Sequence, residues 1–257
     1  MRILNEKCNL ERFFEKVRGG SLLMLDYDGT LAPFVKDRMA AVPYEGITER
    51  LVSLTSAGMA RVVIVSGRSL VDLEKFIYVP NLELWGSHGF ERKLNNGERK
   101  NFPLNKDFAE ALQKGIQRCL EYGDRNSCEI KPYSVAFHWR EMEKERIPIA
   151  KAIEKEWKKI CGNTNCEIHY FDGGIELRSK ERNKGNVVRE LLSEVSQDAA
   201  AAYLGDDITD EEAFIALGKR GLKVLIREEF RPTAADLHLV PPKELLMFLD
   251  RWRKACG

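Results

Sequence analysis

The chain has no excess of charge, no long apolar run, no Cys-x-x-Cys pair and no internal repeat, and each gap excludes a class of protein. Its 41 basic and 40 acidic residues leave a net charge of +1 over 257 residues. The Lys and Arg side chains are spread along the sequence, so there is no general attraction to nucleic acid or to an anionic membrane. No apolar stretch approaches the roughly 20 residues that cross a bilayer. The opening residues, MRILNEKCNLERFFEK, read as a charged amphipathic helix without the apolar core of a signal peptide, and the cytoplasm is the expected compartment. Six cysteines, Cys8, Cys119, Cys128, Cys161, Cys166 and Cys256, are scattered, as expected of reduced thiols. Cys161, Cys166 and His169 are the one cluster with the look of a zinc site, and a fourth ligand is not visible.

What is present is a set of short, continuous apolar runs. With 44% hydrophobic residues the chain can bury a sizeable core, as one large domain or two smaller ones. Residues 22–25, 62–65 and 199–204 read as strands buried on both faces of a parallel sheet. Amphipathic helical stretches lie beside them at 47–57, 70–78, 185–194 and 211–217. Residues 222–226 and 236–240 read as further core strands, and 243–254 as a closing helix. This alternation predicts an α/β fold with a doubly wound, parallel-sheet (Rossmann-like) core.

The middle of the chain has a different rhythm. A helix over 107–122, a strand pair at 129–131 and 135–139, a helix over 147–160 and a second pair at 167–171 and 174–178 predict an inserted α+β cap domain. The expected division is a core of residues 1–104 and 179–257, with the insertion at 105–178.

Polar residues gather where the core strands end, which is where open α/β sheets bind ligands. The first run ends in Asp26-Tyr27-Asp28-Gly29-Thr30, the second in Ser66-Gly67-Arg68, and the third in Gly205-Asp206-Asp207 followed by Thr209-Asp210-Glu211. Asn183-Lys184-Gly185 opens the helix after the insertion. Two carboxylates as close as Asp26 and Asp28 repel unless a cation or a shared proton intervenes. Such a set suits phosphoryl transfer through an aspartyl phosphate. Asp26 would attack phosphorus, Asp28 would serve as acid and then base, and Asp206 would complete a site for a hard cation such as Mg²⁺. Ser66 would hydrogen-bond a phosphate oxygen and Lys184 would neutralise charge. Capping and turn roles are the alternatives: Asp28 and Thr30 in a turn, Ser66 and Asp206 to Asp210 at helix starts, Arg68 in a salt bridge. Lys184 fits such a role poorly, because a cation at a helix N-terminus opposes the macrodipole.

DYDGT at 26–30, Ser66, Lys184 and GDDITDE at 205–211 resemble the four motifs of the haloacid dehalogenase-like hydrolase superfamily. The resemblance implies Asp26 as nucleophile and Asp28 as acid/base. It also implies Mg²⁺ held by Asp26, the Asp28 carbonyl and Asp206, with Thr30, Asp207 and Asp210 in support. DYDGTLAPF, SGRSL, GSHGFE, KPYSVAFHWR and GGIELR are similar to the trehalose-6-phosphate phosphatase family. In that family cap residues bind sugar hydroxyls, and the matching positions are Lys131, Ser134, His138, Arg140 and Glu176, with His88 and Glu91 in the segment leading from the core. Strand alternation places Lys131 with Val135 and Phe137, and Ser134, His138 and Arg140 on the opposite face. Solvated strand positions are the alternative for Lys131, His138, Arg140 and Glu176. One departure is Arg178-Ser179, where the family often has a proline.

The resemblance implies a small-molecule sugar phosphate as partner, a functional pairing with a trehalose-6-phosphate synthase, and a stand-alone hydrolase without an attached glycosyltransferase domain. Phosphatases of glucosylglycerol phosphate or mannosyl-3-phosphoglycerate use related caps. A non-catalytic sugar-phosphate sensor would normally lack a nucleophile or acid that is present here. Phosphomutase chemistry, in which a second hydroxyl takes the phosphate, is a further alternative.

Overall fold

The apolar runs become strands because their side chains can be buried on both faces. The computed structural model describes residues 1–35, 40–123, 125–139, 143–162, 164–171 and 173–257, with backbone alone at 57 and 143–146. In chain order the elements are β1 (Arg2–Ile3), α1 (Leu10–Phe14), β2 (Ser21–Leu25), α2 (Ile47–Thr55), β3 (Ala60–Val65), α3 (Leu70–Phe76), β4 (Glu83–Gly86), β5 (Glu91–Lys93) and β6 (Arg99–Asn101). There follow α4 (Lys106–Tyr122), β7 (Cys128–Lys131), β8 (Ser134–His138), α5 (Glu143–Cys161), β9 (Cys166–Phe171) and β10 (Gly174–Ser179). The chain closes with α6 (Lys184–Ser193), β11 (Ala201–Gly205), α7 (Ile208–Leu217), β12 (Leu222–Ile226), β13 (Leu237–Leu239) and α8 (Lys243–Cys256).

Two compact units result, Met1–Asn101 with Asn183–Gly257, and Phe102–Arg182. In the first, the described strands form one sheet in the order β1-β13-β12-β11-β2-β3-β4-β5-β6. The run from β13 to β4 is parallel, and β1 and β5 pair antiparallel with their neighbours. Leu23, Leu25, Val62, Ile64, Ala202 and Leu204 pack with α1, α2, α3 and α8 on one side. Strand alternation sends Leu22, Met24, Val63 and Tyr203 to the other side. The chain departs from β2 to β3 in one direction and returns to β11 on the other flank. That is the topological switch point at which an open α/β sheet forms its ligand crevice.

The second unit is an antiparallel sheet in the order β7-β8-β10-β9, with helices on one face. Asn105 caps α4 by accepting from the Phe108 N–H at 2.7 Å. Phe108, Leu112, Ile153 and Trp157 from the helices meet Val135, Phe137, Ile175 and Leu177 from the sheet. Trp157 satisfies its indole N–H on the Gly115 carbonyl at 3.0 Å, the partner a buried indole needs.

Four expectations are corrected. The opening residues do not make one helix: Arg2–Ile3 pair with β13, and the helix is confined to Leu10–Phe14. The sheet extends through β4, β5 and β6, which the apolar pattern did not mark. Lys131 shares a face with Ser134, not with Val135, because the hairpin turn at 132–133 pairs Lys131 directly with Ser134 and resets the alternation. Cys161 and Cys166 form a disulfide, so they are neither reduced thiols nor zinc ligands; the end of α5 and the start of β9 bring them together.

Candidate active site

Asp26 stands one residue past β2, its N–H bound to the Leu204 carbonyl of β11 at 2.8 Å. Asp206 stands one residue past β11, so the switch point sets the two acids side by side. Gly29 makes this approach work. Its backbone is left-handed, at φ +78°, and a Cβ there would lie 2.0 Å from Asp206 Oδ2.

Lys184, the first residue of α6, is buried and donates from Nζ to Asp26 Oδ1 and to Asp210 Oδ1, each at 2.7 Å. Asp210 has both oxygens occupied. Oδ1 accepts from Lys184 and from the Tyr203 hydroxyl at 2.7 Å, and Oδ2 from the Asp206 and Asp207 N–H groups at 3.0 Å each. A carboxylate so satisfied acts as a brace for its neighbours. Arg231 holds the same loop from outside, donating to the Asp206 carbonyl at 3.1 Å, the Asp207 carbonyl at 2.6 Å and Glu211 at 2.5 Å.

Charge in this cluster is out of balance. Burial, then the Asp210 charge, pushes the Asp26 carboxyl up to about 8 despite the pull of Lys184. Burial and the charges of Asp26, Asp210 and Asp207 also hold Asp206 well above the usual carboxylate range. Oxygens of Asp26, Asp206 and Asp210 lie within 4.8 Å of one another. Asp206 Oδ1 is buried without a hydrogen-bond partner among the described residues, as is Thr30 Oγ1. Clustered hard oxygens, one of them unpartnered, fit a divalent cation of the Mg²⁺ or Ca²⁺ type. Asp26 and Asp206 are the groups suited to hold it.

Asp28 lies apart from this cluster, in a two-pronged ion pair with Arg68. Nε donates to Oδ2 at 2.7 Å and NH2 to Oδ1 at 2.6 Å. Arg68 is itself buried, with its guanidinium over the Tyr27 and Phe76 rings. Ser66, past β3, is buried and accepts from the Arg68 N–H at 3.1 Å. Close by, Ser87 and His88 both have positive φ, 49° and 55°, and the His88 ring lies over Gly67, 2.7 Å from where a Cβ would be. Glu91 braces that turn by accepting from the Ser87 hydroxyl at 2.5 Å.

In the other unit, Lys131 Nζ and the Ser134 hydroxyl both donate to Glu176 Oε1, at 2.7 and 2.6 Å. His138 Nε2 is 3.0 Å from Glu129 Oε2. Register puts all five on the sheet face opposite the helices. Arg140 falls outside the described residues. Sequence reasoning missed Tyr203 and Arg231 as partners of the acidic loop. Tyr203 had a signal, a hydroxyl within an otherwise apolar strand that must find a partner when buried; Arg231 had none.

A family model for trehalose-phosphatase matches residues 24–239. A trehalose-phosphate phosphatase of Mycobacterium marinum is 32% identical over 246 residues, covering 89% of this chain and 60% of that protein. A trehalose-phosphatase of Schizosaccharomyces pombe is 32% identical over 247 residues, covering 89% of this chain and 30% of that protein. The chain thus spans less than two thirds of the length of either relative. The trehalose-6-phosphate phosphatase C-terminal domain of C. albicans shares the fold, with a TM-score of 0.80 at 24% identity over 99% of each chain.

Proposed function

The chain belongs to the trehalose-phosphatase family, and from that premise we propose that it hydrolyses a sugar phosphate monoester, trehalose 6-phosphate, to trehalose and inorganic phosphate. The observation that best supports this reading is the convergence of Asp26, Lys184 and Asp206 at the switch point, with Lys184 bonded to both Asp26 and Asp210.

Asp26 attacks phosphorus with a carboxylate oxygen, and the P–O bond to the sugar breaks. Asp28 gives its proton to the leaving oxygen, then takes one from the water that hydrolyses the aspartyl phosphate. Arg68 holds both Asp28 oxygens in this structure, so Asp28 would release at least one prong of that fork to carry a proton. Lys184 offsets charge shared between Asp26 and the phosphate oxygens, and Ser66 donates to one of those oxygens. Asp26, Asp206 and the Asp28 carbonyl would hold a divalent cation such as Mg²⁺, which would supply the positive charge that lets a carboxylate approach a phosphate dianion. Thr30, Asp207 and Asp210 keep the loop bearing these ligands in shape. On the inserted unit, Lys131, His138 and Glu176 lie on one sheet face and supply charged hydrogen-bond partners for sugar hydroxyls; Arg140 is assigned the same task from its motif. A synthase that makes trehalose 6-phosphate would supply the substrate.

The test is phosphate release, with and without Mg²⁺, from trehalose 6-phosphate, glucose 6-phosphate, glucosylglycerol phosphate, mannosyl-3-phosphoglycerate and an aryl phosphate. Metal-dependent preference for trehalose 6-phosphate is expected. Preference for another ester overturns the substrate, and turnover of none overturns the activity.

A further inference from the structure

The inserted unit repeats one junction twice. A helix ends and an edge strand of the sheet begins, first from α4 into β7 and then from α5 into β9. At each junction a cysteine in the last helical turn meets the cysteine that opens the strand: Cys119 with Cys128, and Cys161 with Cys166. The second pair is a disulfide. The first occupies the equivalent place, so its chemistry can be judged against it.

Cys119 and Cys128 are both free thiols in this structure: the Cys119 sulfur donates to the Cys128 sulfur 2.6 Å away, and the Cys128 sulfur donates to the Cys119 carbonyl at 3.0 Å, so the pair already faces each other with nothing between. Both residues are buried. The turn between them is shaped for that contact. A Cβ at Gly123 would stand 2.7 Å from the Phe137 ring, 2.9 Å from the Cys119 carbonyl and 3.1 Å from the Cys128 sulfur. Any larger residue would force the pair apart or displace Phe137 from the unit's core. The adjacent Cys128 sulfur and burial both hold the Cys119 thiol well above its ordinary range, so exchange inside the folded unit is slow.

We propose that Cys119 and Cys128 form a second disulfide, so that both helix-to-strand junctions of the inserted unit are covalently stapled. The oxidant is a low-molecular-weight disulfide such as oxidised glutathione. One cysteine thiolate attacks the reagent and expels a thiolate, and the other attacks the mixed disulfide and expels the second. One protein S–S bond forms and one reagent S–S bond breaks. The two cysteine protons end on the released thiols, and two electrons pass from the cysteines to the reagent. The cross-link closes as the junction folds, and burial then shields it from reductant. It fastens a helix end to its own strand, since the bridged residues are nine apart in sequence, compared with five at the other junction.

The full-length chain, refolded with oxidised glutathione and then denatured without reductant, is titrated for thiols and its unreduced peptides are mapped by mass. The expected result is two reactive thiols, Cys8 and Cys256, with the Cys119 peptide joined to the Cys128 peptide. The intact mass lies about 4 Da below that of the reduced chain. Cys128→Ala should expose a third thiol, Cys119, and leave the Cys161–Cys166 link unchanged. Four reactive thiols in the oxidised wild type, or Cys119 joined to a different cysteine, overturns the proposal. The wild-type map decides the matter even if the variant does not fold, and it is independent of any catalytic activity.

Discussion

Removing the Tyr203 hydroxyl should slow catalysis without touching substrate. Asp210 is wholly buried, and its Oδ1 is shared between Tyr203 and Lys184 at 2.7 Å each. Tyr203→Phe keeps the ring in its edge-on contact with Phe214, 5.8 Å between centroids, so no cavity opens. What is lost is one hydrogen bond to a buried carboxylate, worth about 1.5–3 kcal/mol. That amount should appear as lost stability in urea denaturation of the variant. Lys184, relieved of a competitor on Asp210, shifts toward that carboxylate and away from Asp26. If the full amount reaches the reacting carboxylate, kcat falls by about tenfold to a hundredfold. KM should stay unchanged, because Tyr203 lies in the strand behind the acidic loop. Phosphate-release kinetics measure both constants. A kcat within twofold of wild type, with an unchanged denaturation midpoint, would refute the idea that Tyr203 sets the Asp210–Lys184 geometry.

Further expectations concern the cation, the turn and an ion-pair network. Mg²⁺ should raise the thermal midpoint of the metal-free chain, by an amount equivalent to about 2.7 kcal/mol at a hundred times Kd; Asp206→Asn, scanned by calorimetry, should abolish that increase. Gly29→Ala must place a Cβ 2.0 Å from Asp206 Oδ2 at a φ of +78°. It should cost about 1–2 kcal/mol for the backbone alone and should also weaken the Mg²⁺ response in the same scan. Burial raises the Glu194 carboxyl, but hydrogen bonds from Arg92 and Arg61 outweigh it and leave the group below its ordinary value of 4.5. A folded-state value below the unfolded one gives stability that is present above 4.5 and lost as pH falls below it. Glu194→Gln should therefore flatten the fall in urea midpoint between neutral and acid pH, and an unchanged slope would count against this network.

The parallel core was legible because Leu22 to Leu25 and Val62 to Val65 are buried on both faces and carry no polar interruption. The edge beyond β3 was not. Glu83 opens β4 and is buried, held by Arg61 at 2.8 Å, Arg92 at 2.9 Å and the Trp85 indole at 2.9 Å. A strand that buries charge by pairing it carries no apolar pattern to read. The charged β5 and β6 are fixed by backbone pairing to their neighbours. Lys131 fell on the wrong face because a two-residue turn interrupts a parity count that treats 131–140 as one strand. At the candidate site, the acids, Ser66 and Lys184 were visible as polar residues ending apolar runs. Arg231 reaches the Asp206–Glu211 loop from more than 20 residues away, a contact created only by the β12 crossover.

The central claim is that Asp26 is the nucleophile. Its most direct test is phosphate release from trehalose 6-phosphate with Mg²⁺, measured side by side for wild type and Asp26→Asn, with circular dichroism to check that both are folded. The account predicts metal-dependent turnover by the wild type and at least about a thousandfold loss in the folded variant; turnover by Asp26→Asn near the wild-type rate would contradict it.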